Sequence, residues 1–468
     1  MKIAVCVKVT AGELSPFDCS ALEEALRVPG AQVTALSMGP RNTRPVLEEL
    51  IQRGVPRVVL LSDPAFAGAD TLATGYALAL ALKKLEPDLV LCGRQSMDGD
   101  TAQTGPGIAA ALGWECLPYV LEMQVSGGEI HTRTRLGERC AALPAVATLE
   151  RTRVLRFPGI RRKQGVFEIW DAAAVGADPA RCGLSGSPTR VLRTWESAQG
   201  RRKCRMVQPE ELPELLREQL ERDFSPVKPP VPEKRLPEVW VIGEELRETG
   251  ETIAERVAVL SREDPAELAL RIAREKPGAV LWPSDWWGRS AAPKAAVLLQ
   301  TGLCADCTAL ETDGEELFFY RPAFGGGMMA KIRCRTLPRM GTVRLPGQAG
   351  EALLFAMGMG VRGQEKAFRA AALQWGAGLA ASRPAVDAGL SPYEEQVGLT
   401  GRMVRPKVYL AVGISGAVQH TCAIEGAGCV IAVNPDPGAR IFEYADFGVG
   451  CTAETAVEIL TGKHGKKR

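Results

Sequence analysis

Short apolar runs alternate with amphipathic stretches along almost all of the 468 residues. That alternation is the pattern of parallel strands joined by crossover helices. Strands are expected at Ile3–Val7, Gln32–Leu36, Val58–Leu61 and Leu89–Cys92, and again at Val239–Ile242, Ala279–Trp282, Val408–Val412 and Cys429–Val433. Helices are expected between them, as at Ala21–Arg27 and Thr71–Leu85. The series breaks once. Residues 223–237 hold five prolines in fifteen, which favours an extended spacer of roughly 3.1 Å per residue and cannot sit inside a sheet. An amphipathic stretch, Pro209–Glu221, closes the first half before this break, and a new strand opens after it. The chain therefore reads as two α/β units joined by a tether.

Several function classes are excluded early. A net charge of +2 gives no global attraction to a polyanion. No apolar run approaches the ~20 residues that would span a bilayer, and the start, Met1-Lys2-Ile3-Ala4-Val5-Cys6-Val7-Lys8, is too charged for a signal peptide. A cytoplasmic protein without membrane insertion is expected. The 13 cysteines are odd in number and scattered, which argues against a disulfide framework. Cys304 and Cys307 have C-x-x-C spacing, but a metal would need two more ligands, and the chain has three histidines. A redox dithiol would need Cys304 at a helix start. Small buried thiols, and no metal, are the expectation. Residues 151–163 carry six basic side chains in thirteen, yet aromatic interleaving for base stacking is missing, so nucleic acid is not expected.

The strongest chemical signal lies in the last quarter. The strand Val408–Val412 runs into Gly413-Ile-Ser415-Gly416-Ala417-Val418-Gln419-His420. Small residues there let the backbone approach a ligand, and a new helix offers N–H groups to an anion. Ligands of doubly wound sheets bind at the carboxyl ends of strands. Three further clusters are polar: Ala381-Ser382-Arg383 through Gly389, Gln396-Val397-Gly398-Leu399-Thr400-Gly401, and Ile431 to Asn434. These features point to a nucleotide-like ligand.

Taken in order, residues 381–434 resemble the FAD domain of the α subunit of electron transfer flavoproteins, which reads S-R-x-A-V-D-A-G, Q-V-G-Q-T-G, V-G-I-S-G-A-I-Q-H and then a strand ending in Asn. Gly288-Arg289-Ser290, Thr301 through Cys307 and Thr308, and Arg321-Pro-Ala-Phe-Gly325-Gly326-Gly327 resemble the first α domain. The N-terminal half resembles the β subunit through Val5-Cys6-Val7-Lys8, Ser15-Pro16-Phe17-Asp18 with Ala21-Leu-Glu-Glu-Ala, Ser37-Met38-Gly-Pro40, and Gly93-Arg94-Gln95-Ser-Met-Asp98-Gly99-Asp100-Thr101-Ala102-Gln103-Thr104. The resemblance implies parallel-sheet, Rossmann-like domains of the adenine nucleotide α-hydrolase-like type, plus a C-terminal doubly wound FAD-binding domain. Boundaries are expected at 1–222 for the β-like domain, 223–237 for the linker, 238–345 for a shortened first α domain and 346–468 for the FAD domain. A hinge is expected near Gly347–Glu351.

By position, the resemblance implies FAD contacts from Arg362, Ser382, Arg383, Gln396, Val397, Gly398, Leu399, Thr400, Ser415, Gly416, Ala417, Val418, Gln419, His420 and Asn434. Arg383 and His420 would flank the isoalloxazine, and Thr400 would donate toward its N5. Two departures stand out: Leu399 replaces the family's usual Gln, and Thr452 stands where Asp often serves the adenosine end. A second nucleotide, AMP or another FAD, would sit on Cys6, Ser15, Pro16, Phe17, Asp18, Met38 and the loop from Gly93 to Thr104. That loop's D-G-D-T-A-Q spelling is nearer the electron-bifurcating members, which use NADH, apart from Thr104. Phe157, before Pro158, holds the place of the residue that docks acyl-CoA dehydrogenase partners.

A guanidinium beside a flavin suits one-electron chemistry because it stays charged. At about 4 Å and an effective dielectric near 20, one such pair contributes about 4 kcal/mol, a bound of roughly 170–180 mV on a one-electron couple. Three functions fit: an electron carrier between acyl-CoA dehydrogenase-type flavoenzymes and another acceptor, an NADH-oxidising bifurcating component serving a ferredoxin or quinone-linked acceptor, and a non-redox nucleotide-binding module.

Overall fold

The computed structural model describes residues 1–159, 164–196, 201–224, 232–344 and 352–463. Its apolar runs are the central strands of parallel sheets. Val408–Val412 and Cys429–Val433 are buried at every residue, as strands covered on both faces must be. The segments expected as strands are strands: Lys2–Cys6 is shifted by one residue, and Gln32–Met38, Arg57–Leu61, Leu89–Gly93, Leu236–Ile242 and Ala279–Pro283 are one to three residues longer. The helix Thr71–Leu85 has its expected bounds because Asp70 caps it. The Asp70 carboxylate accepts the N–H groups of Leu72 and Ala73. No helix among the described residues is long and apolar enough to cross a membrane.

The chain divides into two compact units, 1–194 with 231–324 and 329–344, and 195–230 with 325–328 and 345–468. The first unit contains two parallel sheets. One has seven strands in the order Val166–Trp170, Arg57–Leu61, Gln32–Met38, Lys2–Cys6, Leu89–Gly93, Ala145–Leu149 and Glu115–Val120. The other has five: Ala254–Leu260, Leu236–Ile242, Ala279–Pro283, Arg339–Val343 and Leu303–Cys307. The first unit also carries an antiparallel meander, Glu122–Ser126, Glu129–Thr134 and Gly137–Ala142, which the sequence reading did not resolve. Its period of two is hidden because Thr132 and Thr134 occupy inward positions beside Ile130.

The second unit is a seven-stranded parallel sheet ordered Arg205–Val207, Phe447–Val449, Cys429–Val433, Val408–Val412, Leu353–Met357, Gly378–Ser382 and Gln396–Val397. Its edge strand is supplied by residues expected to close the first half. Arg205–Val207 pairs in parallel with Phe447–Val449. The helix Leu212–Glu221 then places Leu212, Leu215 and Leu216 in the core formed by Leu353, Phe355, Val408 and Val457. Arg202 fixes the approach with bonds to the Asp446 carboxylate at 2.5 Å and the Ala427 carbonyl at 2.6 Å. An amphipathic helix next to a tether is satisfied by either neighbour. Here its apolar face is buried on the second unit, so residues 195–222 group there and not with residues 1–194. Most of the proline-rich break (225–231) and the expected hinge at Gly347–Glu351, apart from the fold they join, lie outside the described residues.

Cys304 and Cys307 lie on the strand Leu303–Cys307, not at a helix start, and both are buried. Between them, Asp306 accepts hydrogen bonds from Ser284 Oγ at 2.7 Å, Arg289 Nη2 at 2.7 Å and Arg344 Nε at 2.6 Å. Burial alone would raise this carboxyl, but the two guanidiniums hold it far below the usual range. Because the folded carboxyl titrates below the unfolded one, its stabilisation is present above the unfolded value and is lost at strongly acid pH. Asp306→Ala is expected to strand two buried cations and to cost about 3–5 kcal/mol in denaturant unfolding.

Candidate functional site

In the second unit, Leu353–Met357 and Val408–Val412 are adjacent, and the strand order runs away from them in opposite directions. The crevice of such a sheet opens above the carboxyl ends of that pair. Backbones meet closely there. A Cβ at Gly358 would lie 2.0 Å from the Gly413 carbonyl oxygen, and Gly413 has φ +65°, so neither position accepts a side chain. Ser415, Ala417 and Gln419 are exposed along the segment that follows Val412, while Gly416 and His420 are buried. The helix expected there is a single turn, Val418–Thr421. Such a turn offers amides but no appreciable macrodipole. Asn434 ends the next strand and ties it to this segment, donating from Nδ2 to the Ile414 carbonyl at 3.0 Å.

The other clusters come to the same sheet end. Ser382 closes Gly378–Ser382 and is buried. Arg383 opens the following short helix and is partly exposed, with Nε 3.3 Å from the Asp387 carboxylate. Gln396 and Val397 form the neighbouring strand, in register with Ala381 and Ser382. Gln396 Nε2 donates to Thr400 Oγ1 at 2.7 Å, and Tyr393 Oη donates to the Thr400 carbonyl at 2.8 Å. The Leu399 N–H donates to the Gln419 carbonyl at 2.7 Å, which locks the loop 396–401 onto the 415–420 segment. The Leu399 side chain is buried, and the amide expected at that position is replaced by apolar packing. Arg362 is exposed after the strand Leu353–Met357. Thr452 caps the last helix, accepting from the Thr455 N–H at 3.2 Å.

His420 differs most from a charged ring neighbour. Its Nε2 lies 2.9 Å from Tyr409 Oη and its Nδ1 3.1 Å from the Val397 carbonyl. Burial pushes its pKa down to about 4, so the imidazole is neutral. With Nδ1–H donating to the carbonyl, Nε2 accepts from the tyrosine. Tyr409, a partner the sequence reading did not name, is fully buried on the central strand.

The first unit has a second reversal of strand order, between Lys2–Cys6 and Leu89–Gly93. Asp18 bridges the two strand ends: its carboxylate accepts the Lys8 N–H at 2.8 Å and the Gly93 N–H at 3.1 Å. Lys8 Nζ pairs with Asp98 at 2.6 Å, and Gln95 Nε2 donates to Asp100 at 2.9 Å. Asp100 and Ala102 take φ +49° and +55°, conformations that cost energy for residues with a Cβ. Gln103, buried before the helix Thr104–Leu112, accepts from Thr71 Oγ1 at 2.9 Å. Its Nε2 has no protein partner among the described residues, so a donor is left for a ligand group. Cys6, Met38, Ser15, Pro16 and Phe17 border the same ends, while Gly99 and Thr101 belong to the loop. Arg94 is not free to reach an anion. It is buried against Glu150 at 2.8 Å and lies over Phe17 and Tyr119. Glu150, Thr71 and Arg321, which donates to the Asp100 carbonyl at 3.0 Å, were not among the expected site residues. They act on the loop from strands and helices distant in sequence.

Residues 3–175 and 236–352 match the family described as Electron transfer flavoprotein domain, and residues 349–425 match Electron transfer flavoprotein FAD-binding domain. The chain is 42% identical over 205 residues to "Electron transfer flavoprotein subunit beta" of Megasphaera elsdenii, covering 40% of this chain and 76% of that protein. It is 39% identical over 217 residues to "Protein FixA" of Azorhizobium caulinodans, covering 42% and 76%. It is 34% identical over 232 residues to "Electron transfer flavoprotein subunit alpha" of Thermoanaerobacterium thermosaccharolyticum, covering 39% and 70%. Similarity to both subunit types therefore lies on one polypeptide.

Desolvation raises the Asp18 carboxyl from 3.8 to about 7, against the pull of the Lys8 and Gly93 amides. Between those values the folded chain holds a proton that the unfolded chain has released, so this group's contribution falls as pH rises from about 4 to 7. Asp18→Asn is expected to remove that slope, worth up to roughly 4 kcal/mol between the two ends. Urea unfolding across that range reads it, and an unchanged slope counts against the assignment.

Proposed function

The chain belongs to the electron transfer flavoprotein family, with β-type and α-type parts on one polypeptide, and on that premise we propose that it carries electrons through FAD between an acyl-CoA dehydrogenase-type flavoenzyme and another redox partner. The observation that carries this reading is the donor set at the crossover of the second unit. Exposed Ser415 and Gln419, the Thr400–Gln396 pair, Arg362 and Arg383 are hydroxyl, amide and guanidinium groups suited to a diphosphate and a flavin edge. When bound, FAD supplies a ring that accepts and returns electrons singly.

The chain's own residues hold, orient and polarise in this reading. Gln396 presets the Thr400 hydroxyl. His420, neutral and bonded at both nitrogens inside the protein, fixes the Val397 carbonyl and contributes shape instead of charge. Arg383 brings the permanent charge, tempered by Asp387. In the β-type part, the crevice bordered by Asp18, Asp98, Gln103 and Thr104 holds a second nucleotide. AMP there belongs with a simple carrier. A second FAD, which the loop spelling supports, belongs with a bifurcating component fed by NADH and serving a ferredoxin or quinone-linked acceptor. Phe157, 88% exposed, is the anchor for the dehydrogenase.

The purified chain is expected to be yellow. A chromatographic nucleotide count separates two flavins from one flavin accompanied by AMP, and anaerobic NADH reduction accompanies only the former. Protein that stays colourless with excess FAD sinks the reading. Arg383→Ala is expected to lower the first one-electron potential by less than the roughly 180 mV of an uncompensated charge, because Asp387 already offsets part of it. Redox titration showing no change would remove Arg383 from this role.

A further inference from the structure

The segment bearing Phe157 is held on its near side by one helix, Pro16–Arg27, and on its far side by Gln52 and Arg53. Ser20 Oγ, fully buried, accepts the N–H groups of Thr152 at 3.1 Å and Arg153 at 3.0 Å. Glu24 accepts from Arg153 Nε at 2.6 Å. Glu23 accepts from the Arg156 N–H at 3.1 Å and from its Nε and Nη2, both at 2.9 Å. Both glutamates are nearly buried, at 10% and 8% side-chain exposure. Leu155 is buried between these anchors, whereas Val154 and Phe157 are 87% and 88% exposed. Beyond Phe157 the Gly159 N–H donates to the Gln52 carbonyl at 2.8 Å, and Arg53 reaches the Arg156 carbonyl at 2.5 Å. The backbone is thus pinned on both sides of each projecting apolar residue.

The helix is itself a firm base. Its first turn is pressed against the strand Leu89–Gly93, and a Cβ at Gly93 would meet the Asp18 backbone nitrogen at 2.7 Å. Asp18 adds bonds to two strand ends. Displacing the helix would therefore disturb the sheet. An exposed ion pair contributes little, but these carboxylates are nearly buried, Glu23 accepting three bonds from Arg156 and Glu24 one from Arg153, so removing their charge weakens charge-assisted hydrogen bonds worth more than neutral ones.

We propose that Glu23 and Glu24 are positioning residues for partner docking: through Arg156 and Arg153 they hold Val154 and Phe157 outward in one conformation that a flavoprotein dehydrogenase meets preformed. This rests on the docking role given to Phe157 above. A preordered anchor binds more tightly because less conformational freedom is lost on association.

The full chain with its flavin bound is compared with Glu23→Gln/Glu24→Gln by hydrogen exchange and by steady-state reduction from an acyl-CoA dehydrogenase. Exchange at 152–159 is expected to rise about tenfold. The dehydrogenase concentration for half-maximal reduction is expected to rise by about the same factor. The limiting rate and flavin content should stay unchanged. Ser20→Ala, which removes no charge, is expected to move both readouts the same way by less, and it serves if the double variant fails to fold. Phe157→Ala should raise the half-saturating concentration without altering exchange at 152–156. Unchanged exchange in the glutamate or serine variants overturns the proposal. Faster exchange with unchanged half-saturation in those variants and in Phe157→Ala overturns the docking reading instead.

Discussion

A parallel sheet whose successive strands are added outward in both directions from one inner strand cannot close the space above that strand's carboxyl end, because the two crossover connections leave on opposite faces. Both seven-stranded sheets obey this constraint. The gaps fall above Lys2–Cys6 with Leu89–Gly93 and above Leu353–Met357 with Val408–Val412. The polar loops scattered through the sequence converge on these gaps because each follows a strand of the same sheet. The topology thus selects where chemistry can occur, and the residue types select which chemistry.

Buried charge is handled in three ways. Asp306 meets two guanidiniums and remains ionised, knitting three strand ends of the five-stranded sheet. Arg94 and Glu150 neutralise each other within the β-type part, so a residue that looks like an anion ligand serves as a brace. Asp18 accepts two backbone amides and feels a Lys8 cation already paired with Asp98, and desolvation outweighs these pulls. The same low dielectric produces an anion, a pair and a group poised to hold a proton, according to whether an opposite charge bonds the group directly or is spent on a neighbour.

The parallel strands were legible because burial on both faces leaves runs such as Leu410 and Ile431 with their neighbours almost wholly apolar. Cap residues such as Asp70 fixed helix starts. Gathering of residues 382–434 at one sheet end followed from strand order and local motifs. Less visible were pairings that sequence separation hides: Tyr409 with His420, Glu150 with Arg94, and Arg321 with the Asp100 carbonyl. The meander was lost because threonines fill its inner positions. The owner of Leu212–Glu221 was misjudged because an apolar helix face specifies that it must be covered, without naming what covers it.

The strand Arg205–Val207 and the helix after it complete a sheet whose other members begin at Leu353. On the ribosome, then, Leu212, Leu215 and Leu216 emerge more than a hundred residues before their resting place exists. Domains commonly mature from the amino end as they are made, but this portion must wait, wetted or temporarily sheltered, until nearly the whole polypeptide has been synthesised. Joining the two parts covalently therefore raises the effective concentration of the chain's own edge for the late-arriving sheet over that of a neighbouring copy.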